Sequence, residues 1–234
     1  MKNKMINFVI IGAGNFGKEA SEIAKRVEEK EENFKFIGYI DEFEENHRKV
    51  INEVPVLGGL EWIKETFTGD KLFFACSIGD TINRKEVVER ALKFGYIPYS
   101  IIHPSVSVRY GVKIGNGVII QPKCVIAPNA IIKDHVIINQ ICSIGHDDII
   151  NDYCTVSPLA ALSGGVVLGE GTYVGTGASV VPDIKIEKWS IIGAGACVVK
   201  DVEPYSLMLG VPAKPKLTFE NFQERTLYSK RKPV

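Results

Sequence analysis

From Ile102 to Val198 every sixth residue is Ile, Leu or Val, without a break. A period of six matches neither the 3.6 of a helix nor the alternation of an ordinary strand. The fifth position of each hexad forms a second column of small or β-branched residues, running from Val106, Val112 and Val118 through Cys124, Cys142 and Cys154 to Val202. Asp148 is the one charge in it. One large and one small apolar residue per six predicts a short strand, a tight corner and another short strand. Three such units close a triangular coil of eighteen residues, and stacked coils make a parallel β-helix. Residues 102–217 are assigned to this solenoid, and residues 218–234 to a tail. In the tail Phe219, Phe222 and Leu227 could pack a short helix on the solenoid or on a neighbouring subunit, and Lys230, Arg231 and Lys232 read as a solvated terminus.

The first 101 residues lack the hexad and read as a separate α/β unit. Ile6–Ile11 predicts a strand, Gly12-Ala13-Gly14-Asn15-Phe16-Gly17 a glycine turn, and residues 16–29 a helix with Ala20, Ile23, Ala24 and Val27 on one face. Strand, G-x-G-x-x-G, helix is the context in which backbone N–H groups can approach phosphates at a helix N-terminus. Gly12, Gly14, Asn15, Phe16 and Gly17 are therefore candidate nucleotide contacts. A second strand, residues 35–40, ends in Asp41-Glu42, placed to accept hydrogen bonds from a ribose or base. Further strands at residues 72–76 and 97–101 flank a helix at residues 83–94. A unit of about four parallel strands suits one nucleotide better than a dinucleotide. The bland alternative is a glycine turn that only packs helix on strand.

Charge narrows the partners. Lys plus Arg and Asp plus Glu number 28 each, so the formal net charge is zero. That leaves no broad basic field of the kind nonspecific nucleic-acid binding requires. The 5 cysteines contain no C-x-x-C pair, and three sit in the small-residue column, which points to a reducing compartment. No apolar run approaches the ~18 residues of a membrane span. A soluble, cytoplasmic protein without membrane insertion is expected. His47, His103 and His135 lack ligand spacing, so no metal is expected.

The candidate chemistry lies where the ruler yields. In Gly145-His146-Asp147-Asp148, His146 takes the third position of its hexad, at a corner. Eighteen residues on, the same corner of the next coil holds Gly164, within Ser163-Gly164-Gly165. A histidine beside side-chain-free backbone makes an open slot next to a base whose ordinary pKa is ~6.5. Backbone N–H groups there could stabilise an oxyanion. Asp147 or Asp148 could orient the imidazole. The alternative is a solvated histidine on a surface turn.

Together these pieces resemble the bacterial nucleotide-sugar acetyltransferases of the PglD and NeuD type. The resemblance rests on Gly12 to Lys18, Asp41-Glu42, Gly145-His146-Asp147, the hexads and Gly210-Val211-Pro212-Ala213-Lys214, and it covers about residues 6 to 217. It implies a small Rossmann-like N-terminal domain followed by a left-handed β-helix. It implies acetyl-CoA as co-substrate and a nucleotide-activated amino sugar, a UDP- or dTDP-linked 4-amino-4,6-dideoxy sugar, as acceptor. His146 would be the general base and Asp147 its orienting acid. Asn139 would lie by the active site, and Gly164 beside the thioester. Gly210 to Lys214 would serve acetyl-CoA, as would Thr155, which stands where some members carry a second histidine. Phe16 stands where some carry a histidine in the glycine loop. A homotrimer with acetyl-CoA between neighbouring β-helices is implied. O-acetylation of a sialic-acid-type sugar and a non-catalytic nucleotide-sugar-binding protein are the alternatives.

Overall fold

A computed structural model describes residues 5–67 and 71–231, with side chains described through residue 226. The side chains of Leu227, Lys230 and Arg231, and all of Lys232, lie outside the described residues. The chain starts with β1 (Ile6–Ile11), α1 (Asn15–Glu28), β2 (Phe34–Ile40), β3 (Val50–Ile51), β4 (Val54–Gly58), α2 (Trp62–Glu65), β5 (Leu72–Cys76), α3 (Thr81–Phe94) and β6 (Ile97–Pro98). These strands form one 6-stranded sheet in the order β3-β4-β2-β1-β5-β6. All neighbours are parallel except β3 and β4. This corrects the four-strand expectation in two places. The β3–β4 hairpin extends one edge. At the other edge, residues 97–101 divide between β6 and the first strand of the solenoid, Ile101–Ile102.

Helix α1 turns Gly17, Ala20, Ile23, Ala24 and Val27 inward, the face its apolar spacing dictates. Helix α3 is capped by Asp80, whose side chain accepts the Asn83 N–H at 2.9 Å, and it stops at Gly95 in a left-handed conformation with φ 95°. Gly serves there because an L side chain is strained at positive φ.

Residues 101–198 wind as a left-handed parallel β-helix. Each coil contributes a two-residue strand to each of three flat faces, and partners across coils are eighteen residues apart, as in Ile119 with Ile137 and Ile131 with Ile149. The first face contains Ile119–Ile120, the second Val125–Ile126 and the third Ile131–Ile132. The six-residue column fills the interior and is fully buried from Ile120 upward, whereas Val108 in the lowest coil is 46% exposed. Most corners turn through one residue at positive φ, such as Asn129 at 62°, Ile141 at 61° and Asp147 at 60°.

The α/β unit lies on the first face. Outward residues Ile101, Ile119 and Ile137 are buried in one cluster with Phe8, Ala20, Phe34 and Phe36. Higher on that face Phe219, from the tail, packs on Ile191 and Leu207 beside Tyr173 and Tyr205. The short helix α4 (Phe222–Arg231) follows, with the Phe222 ring edge-on to Trp189 at 4.7 Å. His135, from which the sequence gives no metal-ligand spacing, is buried and stacked between Phe74 and Tyr153. Among the described residues no helix is long and apolar enough to cross a membrane.

Candidate active site

His146 and Asp147 occupy the edge between the second and third faces. The imidazole Nδ1 lies 2.7 Å from Asp147 Oδ2. Asp147 Oδ1 in turn accepts a hydrogen bond from Asn129 Nδ2 at 3.2 Å. Asn129 stands one coil below, eighteen residues away on the same edge, and the sequence reading did not single it out. The bond to Asp147 raises the imidazole pKa from its ordinary value. It depresses that of Asp147, with the Asn129 amide adding to the effect. A proton held on Nδ1 by Asp147 leaves Nε2 as the free base.

Nε2 faces the next coil. A Cβ built on Gly164 would overlap the His146 ring, so only glycine allows the imidazole to lie there. Gly165 carries φ 75° and donates its N–H to the His146 carbonyl at 2.9 Å. Geometry separates the two aspartates that sequence left as candidates to orient the imidazole. Asp147 touches the ring, while Asp148 is wholly buried and accepts from the N–H groups of Gly145 and Val166 at 2.7 and 2.8 Å. Burial pushes the Asp148 carboxyl up to about 6, against the opposing pull of those two N–H groups.

A second site lies in the α/β unit. A pocket of about 650 Å³ is lined by Gly12, Gly14, Asn15, Phe16, Asp41 and Glu42, with Ser77, Ile78 and Arg90 opposite. Gly12, at φ 105°, and Gly17 let the turn close: a Cβ on Gly17 would strike the Gly12 carbonyl. Gly14 caps α1 without any side-chain hydrogen bond, which leaves first-turn N–H groups of the helix without a side-chain cap beside a pocket that Asn15 and Phe16 line. Asp41 is half a structural residue. Its Oδ2 accepts the Ala13 N–H at 2.7 Å, and its Oδ1 accepts from Phe43 N–H and Asn46 Nδ2. Glu42 is held in a two-pronged pair with Arg90, at 2.5 and 2.7 Å.

A family model described as the PglD N-terminal domain matches residues 7–91. Perosamine N-acetyltransferase from Caulobacter crescentus, in a variant with one histidine replaced by asparagine and bound to CoA and GDP-perosamine, superposes with a TM-score of 0.81 at 31% identity. That alignment covers 90% of this chain and 97% of the other. The acetyltransferase domain of PglB from Neisseria gonorrhoeae FA1090, in complex with acetyl coenzyme A, gives 0.80 at 27% identity over 90% and 99% of the two chains. WeeI from Acinetobacter baumannii AYE gives 0.81 at 26% identity over 91% and 100%. A comparison with curated proteins produced no match. The chain belongs to the PglD and NeuD type of nucleotide-sugar acetyltransferase.

Against that family assignment, the candidate residues fall into separate groups. Asn139 lies on the edge between the first and second faces, not on the His146 edge, and its Nδ2 donates to the Val156 carbonyl at 3.0 Å. Thr155 is buried on the first face, where its Oγ1 accepts from Arg84 at 2.9 Å and donates to the Gly79 carbonyl at 3.0 Å. Gly210 to Lys214 folds back over the second face, with the Cys197 N–H donating to the Gly210 carbonyl and the Ala213 N–H to the Cys197 carbonyl. Arg84 was missed by the sequence reading. It is fully buried and donates to the carbonyls of Ile78, Gly79, His135, Tyr153 and Cys154 as well as to Thr155.

Proposed function

We propose that this enzyme transfers the acetyl group of acetyl-CoA to the amino group of a nucleotide-linked 4-amino-4,6-dideoxy sugar, with His146 as general base. The observation that carries the reading is the His146 ring itself: Nδ1 is engaged by Asp147 and Nε2 is turned over Gly164. The neutral amine attacks the thioester carbonyl while Nε2 takes a proton from the nitrogen. The N–H of Gly164 itself, between Ser163 and Gly165 whose N–H groups go to the Val180 and His146 carbonyls, stabilises the oxyanion. Collapse of the tetrahedral species expels the CoA thiolate, which recovers the proton from the imidazolium. Holding both substrates in one cleft supplies proximity without an acyl-enzyme.

The nucleotide diphosphate would sit at the N-terminus of α1, in the pocket lined by Gly12 to Phe16, with Asp41 and Glu42 at the ribose and base. UDP- and dTDP-linked sugars are the expected acceptors. The GDP-linked form joins them because the relative at 31% identity was crystallised with GDP-perosamine. The glycine slot and the Gly210 to Lys214 turn lie along the second face and the edge beside it, a course that suits acetyl-CoA. The reading includes a trimer acting in the cytoplasm.

The test is acetyl-CoA with a panel of UDP-, dTDP- and GDP-linked amino sugars and a sialic acid, followed by thiol release and mass analysis. An N-acetylated product is expected. His146→Ala should lower kcat by about 10²–10⁴-fold while nucleotide-sugar binding by calorimetry persists. Near-normal turnover in that variant would sink the assignment.

A further inference from the structure

Asp148 has no place in the mechanism above, yet it is the most unusual residue in the solenoid. It is fully buried in the column that otherwise holds Ala130, Cys142, Cys154 and Ala160. Its carboxylate meets only backbone donors. Oδ2 takes the N–H of Gly145, the residue before His146, and Oδ1 takes the N–H of Val166, two residues after Gly164. One side chain therefore ties the turn that carries the base to the turn that forms the other wall of the slot.

That tie displaces a regular one. At the equivalent position in other coils of this face, Arg109, Ala127, Ser163 and Val181 donate their N–H groups to the coil above, at 3.0–3.1 Å. Gly145 gives its N–H to Asp148 instead. The ladder shows the result: this rung pairs only Ser143 with Ala161, while the rungs below and above it each pair two residues. The missing pair is Ile144 with Leu162, directly before the His146 and Gly164 turns.

We propose that Asp148 is a positioning residue for acetyl transfer. By drawing off the Gly145 N–H and binding the Val166 N–H with the same carboxylate, it fixes the turn that carries His146 relative to the turn that carries Gly164, and so sets where the base stands against the slot. A small neutral side chain at this position would let Gly145 return to the Leu162 carbonyl and close the ladder. The buried carboxylate thus works against the solenoid's own regularity. This inference rests on the reading of His146 as the base.

The experiment compares Asp148→Cys, Asp148→Asn and His146→Ala in the full chain, using acetyl-CoA and the best acceptor of the panel. kcat, both KM values and Tm are measured, with kinetics taken well below each Tm. Asp148→Cys, which copies Cys142 and Cys154, should hold or raise Tm while kcat falls tenfold or more and KM for the nucleotide sugar stays within twofold. Asp148→Asn, with one acceptor retained, should fall less. Wild-type kcat in Asp148→Cys overturns the proposal; should that variant not fold, wild-type kcat in Asp148→Asn does so. If His146→Ala keeps its turnover, the underlying reading fails. If His146→Ala is dead and the Asp148 variants are fully active, only the role of Asp148 fails.

Discussion

Asn129, Asp147 and His146 form a short relay whose outer member sits in a left-handed conformation, φ 62°. Asparagine tolerates that region and glycine adopts it freely, so Asn129→Gly removes the amide without straining the corner. The Asp147 carboxylate then loses its second anchor and holds the imidazole less firmly. As the proposed base His146 must be neutral to act, and its pKa is raised chiefly by the Asp147 bond. Loosening that bond lets the pKa fall, so the acid limb of kcat/KM should move to lower pH as the plateau drops, by roughly three- to tenfold, about 1 kcal/mol of positioning. A pH–rate profile checks both. A limb that stays put, or moves upward, removes Asn129 from the relay. The stride of eighteen that led from His146 up to Gly164 also leads from Asp147 down to Asn129, so this partner was legible to a fuller use of the same ruler. The different places of Asp147 and Asp148 were legible too: the hexad phase sends position 148 into the core and 147 to the corner.

The hexads also bear on which face is covered, in a column that lies outside the interior set. The outward residues of the first face are Ile101, Ile119, Ile137, Thr155, Tyr173 and Ile191, the second face shows Ser107, Val125, Ser143, Ala161, Ser179 and Cys197, and the third Lys113, Ile131, Ile149, Val167 and Lys185. The bulkiest apolar row, on the first face, lies where the α/β unit and the tail pack; the shorter row on the third face shows that the pattern alone does not choose between them. The β3–β4 hairpin was less legible. Its turn residues Asn52 and Glu53 both take positive φ, but Glu is not a residue that signals such a turn. Arg84 could not have been read at all, because its partners are carbonyls scattered from residue 78 to residue 154. Burial lowers its pKa to about 10, and it remains a cation held by backbone dipoles. Arg84→Met keeps the length of the side chain but strands those acceptors in the junction between α3 and the solenoid. The expected cost is about 3–5 kcal/mol, a fall in Tm of roughly 10 °C for a chain of this size. Calorimetry showing a Tm within a degree or two of the parent would mean the junction is held by the apolar contacts alone.

Across the whole molecule the two halves of the proposed site, the glycine-turn pocket and the His146 edge, point away from each other. The α/β unit with the nucleotide pocket covers the first face, whereas His146 occupies the edge between the second and third faces, the corner of the triangle opposite that face. The His146–Asp147 pair is 68% and 57% exposed, and an ion pair open to water contributes little on its own. A neighbouring copy would supply both the cover and the sugar. The Asn139 edge, with Ile141 and Leu159 exposed at 51% and 57%, is the surface suited to meet it. If each site joins the pocket of one protomer to the His146 edge of the next, two inactive variants should rescue one another. Gly14→Asp is a clean partner for His146→Ala. The Gly14 Cβ direction is open, and an aspartate there caps α1 while placing a negative charge where the diphosphate must bind. In a cyclic trimer of both variants, one interface of the three combines an intact pocket with an intact base. Random equal mixing should therefore restore roughly a quarter of parental activity, although each variant alone is dead. Co-purified mixed trimers, confirmed by native mass, that show no recovery would place pocket and base within a single chain.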